Sequence, residues 1–115
     1  MSELDIKIIK DLIDTPETVN SDYSSEVIDI SDRETAFAVQ VNYDNGSSVN
    51  MELVLEVSND DQFYFPLSTQ TISDSSGGHL WDIGDTGAAF LRVSINVTSG
   101  SIDVNSILYK AKCRD

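Results

Sequence analysis

Between Val49 and Val57 every odd position is apolar: Val49, Met51, Leu53, Leu55 and Val57. The even positions are Asn50, Glu52 and Glu56, with Val54 the one exception. A period of two gives a strand one dry face and one wet face, and a helix would scatter the same apolar set around its cylinder. Whatever this chain folds into must cover that dry face.

The same rule recurs along the chain. From Thr35 to Tyr43, the apolar Phe37, Val39, Val41 and Tyr43 alternate with Ala36, Ala38, Gln40 and Asn42. From Ala88 to Val97, Leu91, Val93, Ile95 and Val97 alternate with Arg92, Ser94 and Asn96. In the last stretch Ile102 and Val104 hold one phase, while Ile107, Tyr109 and Ala111 hold the other. That switch predicts a β-bulge near Asn105-Ser106. Phe63, Phe65 and Leu67 share one face of a strand over Gln62–Leu67, where Pro66 marks an edge strand or its end. Glu26–Ile30 reads as a short strand, and Leu80–Ile83 as a short strand or turn. Turn-forming residues fill the gaps at 14–25, 31–34, 58–61, 73–79, 84–87 and 98–101.

Seven to nine short strands with no long helix predict an all-β fold, an antiparallel sandwich resembling a jelly roll. An immunoglobulin-type sandwich is the alternative topology, although the Cys–Trp–Cys signature is absent. The 115 residues make one domain, long enough to hide roughly 60–70% of its chain surface without staples. Within it, residues 1–23 read as an N-terminal arm or edge strand plus loop, and 24–115 as the sandwich. In the arm, Leu4, Ile6 and Ile8 alternate with Asp5 and Lys7, Ile9 breaks the phase, and Leu12-Ile13 follow. A bulged strand fits this spacing, and so does a short helix.

At Asp44-Asn45-Gly46-Ser47-Ser48 the reading is a hairpin. A two-residue Asn45-Gly46 loop would set Val41 against Asn50 and oppose apolar to polar residues along the ladder. A three-residue loop, with Gly46 left-handed, instead pairs Val41 with Val49 and Val39 with Met51. The three-residue loop, or a longer odd-numbered one, is therefore expected, and Thr98–Ser101 is expected to turn the chain before Ile102–Ala111 returns as the last strand.

Twenty acidic residues against seven basic ones give a formal charge of −13. The bases are scattered, and a phosphate backbone needs a clustered basic footprint, so nucleic acid is an unsuitable partner. No apolar run approaches the roughly 20 residues that span a bilayer. The single Cys113 excludes an intrachain disulfide, and the acidic Met1–Asp5 lacks a signal peptide's basic and apolar regions. The chain is expected to fold in a cytoplasm.

Few residues suggest chemistry. His79 is the only histidine and lies beside Ser75 and Ser76, with Asp74 or Asp82 as orienters. A triad also needs a rigid frame and an oxyanion hole, which a Gly/Ser loop does not supply. Cys113 has no base partner in view, so no catalytic residue is assigned. Asn59-Asp60-Asp61 and Asp82 with Asp85 offer hard oxygens to calcium, but short Asp/Asn clusters are mainly turn chemistry. No metal or cofactor is expected. Trp81 and Tyr64 are the aromatics a glycan would use, although a lone Trp beside Leu80 and Ile83 equally fits a core or a protein contact. Protein contact fits best, and the candidate interface is Leu4, Ile6, Ile8, Ile9, Leu12 and Ile13 of the arm, with Tyr64, His79 and Trp81.

Two segments carry a resemblance. Leu53–Phe63 reads as a strand, a Ser-x-Asp turn and an aromatic. Phe90–Ile102 reads as an aromatic, Arg-Val, a strand and Thr-Ser-Gly-Ser. Together they resemble small β-sandwich structural proteins encoded among the head and tail genes of tailed bacteriophages, over about half the chain. That resemblance implies a non-enzymatic virion component, assembled in many copies on capsid or tail proteins and beside copies of itself. A capsid decoration protein on the outer head surface is the first expectation; a tail or fibre component, or a glycan-binding module, is the alternative. The arm, and the loop around Trp81, would make the contacts.

Overall fold

A 25-residue strand drawn straight would run roughly 80 Å. The computed structural model contains two strands of that length inside a molecule whose longest dimension is 51 Å. The difference is taken up by bending, and the bends define the fold. The structure describes residues 4–13, 16–30, 34–84 and 87–114; of Leu4–Ile9, Glu34, Thr35 and Lys112–Arg114 it describes the backbone only.

The strands are β1 (Leu4–Asp11), β2 (Glu17–Val19), β3 (Tyr23–Ser24), β4 (Ile28–Asp29), β5 (Glu34–Ser58), β6 (Phe65–Ile72), β7 (Gly77–Ile83) and β8 (Phe90–Arg114). All pair antiparallel in one eight-stranded sheet. It is best seen as four long rows. The long β5 and β8 lie side by side in the middle, paired from Glu34↔Cys113 to Ser58↔Phe90. On the far side of β5, β6 covers Met51–Val57 and β7 covers Phe37–Tyr43. On the far side of β8, β1, β2, β3 and β4 follow one another from Arg114 down to Phe90.

The rows bend together across the middle. In β5, Asn45 and Ser48 take positive φ of 53° and 52°, and the pairing with β8 slips on both sides of Ser47↔Ser101. In β8, Gly100 has φ 85°, a conformation that costs a residue with a Cβ. Between β6 and β7 the chain bends at Ser73–Ser76, where the Ser75 carbonyl accepts the Gly46 N–H at 2.7 Å. The side chains close the same line: Asn45 Nδ2 donates to Asp103 Oδ2, Thr18 Oγ1 to Asp103 Oδ1, and Ser99 Oγ to the Ser48 carbonyl.

A single cluster of buried side chains draws on both halves of the bent sheet. Val39, Val41, Ile107 and Tyr109 come from one half, and Met51, Leu53, Leu55, Leu91, Val93 and Ile95 from the other. This is the covered dry face that the alternation of Val49–Val57 demands. The bulge near Asn105 is present: Asn42 pairs with Ser106 and Tyr43 with Val104, leaving Asn105 over.

Both expected hairpins are replaced by continuous strands. Residues 37–43 do not pair with 49–57, and 90–97 do not pair with 102–111; each half finds its partner in the other long strand. A positive-φ Asn or Gly serves a bulge as well as a turn, and alternation names the face a strand buries without naming its neighbour. Residues 14–25, which read as a loop, contribute β2 and β3, and Gly77–His79, which read as part of a flexible loop, belong to β7. The turns expected at 31–34 and 84–87 fall largely outside the described residues.

Candidate functional site

The dry face of β5 runs on past its cover. Phe65 pairs with Val57 and so shares its face,. Here the chain turns at Ser58–Tyr64, and Val57, Ser58, Asn59, Asp60, Phe63, Phe65 and Ala88 line an open pocket of about 240 Å³. Phe63 is 67% exposed and Phe65 65%, with Leu67 also exposed beside them. Exposed apolar residues gathered in one place, rather than scattered, mark a contact surface.

The turn that presents them is rigidly built. Ser58 Oγ accepts the N–H groups of Asp60 and Asp61 and donates to Asp60 Oδ1. Asp60 Oδ1 also accepts the N–H groups of Gln62 and Phe63, at 2.9 and 3.0 Å. Those bonds, that of Phe63 foremost, hold the Asp60 carboxyl below its ordinary pKa, because they favour its charged form. Asn59 Oδ1 accepts the Ala89 N–H, which ties the turn to the start of β8.

On the opposite face of the same strands lies a polar clamp. Arg92 pairs across the ladder with Glu56, and its Nε donates to Glu56 Oε1 at 2.9 Å. Ser94 Oγ donates to the same oxygen. The guanidinium carbon sits 3.9 Å from the centroid of the Tyr64 ring, a cation–π arrangement. The Tyr64 hydroxyl donates to Asp61. Desolvation first, and then this bond, push the Tyr64 phenol up to about 12.

Three residues of the interface expected from sequence, Leu12, Ile13 and Trp81, are buried within this chain. Leu12 and Ile13 are buried in this chain's own core, because the Leu12 N–H donates to the Ile107 carbonyl and draws the end of β1 inward. Trp81 is 4% exposed, as β7 pairs Trp81 with Val39 on the dry face. It has no ring face to offer a sugar, and Arg92 occupies one face of Tyr64. His79 is partly exposed and packs edge-on against Trp81, 4.8 Å between ring centroids. Asp82 lies three residues along the strand from His79, so the two side chains leave opposite faces and Asp82 does not orient the imidazole. The side chains of Leu4, Ile6, Ile8, Ile9 and Cys113 lie outside the described ones, though the backbone of β1 pairs with β8.

The Oδ1 atoms of Asn59, Asp60 and Asp61 are engaged in hydrogen bonds of this turn, and Asp85 lies outside the described residues. Among the described residues no group of three or more His, Cys, Asp or Glu is placed to hold a metal ion, and no helix is long and apolar enough to cross a membrane. Phe63, Phe65 and Leu67 are the site residues that sequence reasoning misses. Their shared phase is legible, but the same alternation describes a face turned to the core and a face turned to solvent.

Neither the models of known protein families nor the curated proteins include a match to this chain.

Proposed function

We propose that this chain is a non-enzymatic virion structural protein, a capsid decoration protein that docks on the outer surface of a phage head. The observation that carries the docking role is the open apolar end: Phe63, Phe65 and Leu67 stand exposed on a rigid turn beside Val57. The resemblance of Leu53–Phe63 and Phe90–Ile102 to small phage sandwich proteins supplies the virion context, and both segments meet at this end, where Ser58 pairs with Phe90. The partner surface would offer an apolar hollow with a basic rim, complementary to a chain of charge −13,. Such a contact is carried by this end rather than by β1, which pairs along one side with β8 of the same chain.

Cosedimentation with purified capsids tests this reading. The wild-type chain is expected to pellet with the capsids, and a Phe63→Ser/Phe65→Ser variant to stay in the supernatant with its fold intact by circular dichroism. Absence of wild-type binding overturns the virion assignment, and undiminished binding of the variant overturns the docking surface.

A further inference from the structure

The two outer edges of the sheet are built differently. Along β8 the outer row is broken into four strands, carries a bulge between Ile6 and Ile8, and bears Lys10, Asp11, Glu17, Asp22, Glu26 and Asp29. Short strands, bulges and charges are the devices by which proteins keep an edge from pairing with another chain. The row along β5 is broken once, at Ser73–Ser76, and of its two strands β7 bears Asp82 whereas β6 is guarded at one end, where Pro66 sits beside the slip at Leu55/Glu56. Beyond it, Ser68–Ile72 runs in unbroken register against Leu55–Met51. Its outer edge has no strand beside it among the described residues. Residues 62–73 carry no charge at all, and Ser68, Thr69, Gln70 and Thr71 are not buried.

We propose that this edge pairs with the same edge of a second copy, β6 against β6, antiparallel about a two-fold axis. Charge selects the occupant. Two chains of −13 repel wherever their acidic surfaces meet,, and an uncharged strip lets them approach without burying a carboxylate. An antiparallel strand pair is self-complementary under a two-fold axis, which is the geometry of an isologous dimer. Alternate residues of an edge strand direct N–H and C=O outward, and pairing satisfies both sets at once. This pairing rests on the assembly reading above, but it uses the edge of β6, whereas shell docking uses the Phe63–Phe65 end.

Analytical ultracentrifugation of the full chain, from about 1 µM to about 500 µM, gives the test. A monomer–dimer equilibrium is expected that tightens several-fold as NaCl rises from about 20 mM to about 500 mM, because salt screens like-charge repulsion. Docking on a basic partner would weaken over the same range, so the sign of the salt effect separates the two contacts. Thr69→Glu/Thr71→Glu places four carboxylates at the two-fold axis and is expected to abolish the dimer while the melting temperature of the monomer stays near wild type. Amide exchange in residues 68–72 is expected to slow with concentration in the wild-type chain only. A chain that stays monomeric throughout, or a dimer that survives the glutamate pair or weakens with salt, overturns the proposal. Phe63→Ser/Phe65→Ser is expected to lose capsid binding yet keep the dimer, so failure of either contact is read independently of the other.

Discussion

The guanidinium of Arg92 lies 3.9 Å from the centre of the Tyr64 ring while its Nε bonds Glu56 at 2.9 Å. One side chain thus ties the turn after β5 to both central strands. Arg92 is only partly exposed and Glu56 less so, so this pair is better shielded than an ordinary surface ion pair. Arg92→Ala leaves the Glu56 carboxylate with Ser94 alone and uncovers the Tyr64 ring. The expected cost is about 2 kcal/mol of unfolding free energy. Arg92→Lys keeps the charge but loses the planar group that stacks, and is expected to fall between the two. Urea denaturation of the three proteins checks the order.

The fold line makes a sharper demand on its glycines. A Cβ on Gly100 would lie 2.3 Å from the carbonyl oxygens of both Ser47 and Ser48, and its φ is positive. A Cβ on Gly46 would lie 2.8 Å from the Ser75 backbone. The obstacles are mainly backbone, which cannot rotate aside. Gly100→Ala and Gly46→Ala are each expected to cost roughly 2–5 kcal/mol through strain and overpacking. A methyl group on Gly84 would meet nothing within 4 Å, and Gly84→Ala is expected to stay within about 0.5 kcal/mol of wild type. Thermal melts of the three variants give the comparison.

These glycines also show where the sequence stops being informative. The apolar faces of Phe37–Tyr43, Met51–Leu55 and Leu91–Ile95 are legible residue by residue, as is the phase slip at Asn105, because burial imposes a period. Pairing imposes none. Asn45-Gly46 and Ser99-Gly100 carry the signals of a reversing turn, and the choice between reversing and bending is made by distant strands. The docking end illustrates the same limit. Phe63, Phe65 and Val57 show a strand's dry face continuing, but only the positions of the other rows decide where its cover stops. The size of Trp81 suits a contact as well as a core, and Val39 across the ladder puts it inside.

Tyr64 gives a pH signature. Its phenol is raised from 10.0 to about 12, first by desolvation and then by the hydrogen bond to Asp61. A raised folded-state value means that the unfolded chain loses this proton first. The associated stability is fully present below pH 10 and drains away as pH climbs from 10 towards 12. Phenolate absorbance during an alkaline titration is expected to show Tyr64 ionising late, near this value, with Tyr43 also raised above an ordinary phenol, first by burial and then by the Asp74 charge. Asp61→Asn removes the nearby negative charge, so the Tyr64 midpoint is expected to move down. A midpoint unchanged in Asp61→Asn would show that burial, and not Asp61, sets the shift.

Trp81 separates volume from hydrogen bonding in the core. It is almost wholly buried, and its indole Nε1 has no hydrogen-bond partner among the described residues. A buried donor without a partner carries a desolvation cost, so the ring contributes through its buried area and its edge-on contact with His79. Trp81→Phe keeps most of that area and removes the donor; the lost volume and the relieved donor offset, and the expected change is within about 1.5 kcal/mol. Trp81→Ala opens a cavity under His79 and beside Val39, with an expected loss of roughly 3–5 kcal/mol. Because Trp81 is the only tryptophan, the variants are followed by backbone circular dichroism rather than by fluorescence. Equal losses for Phe and Ala would mean that the indole nitrogen has a partner that holds it in the folded protein.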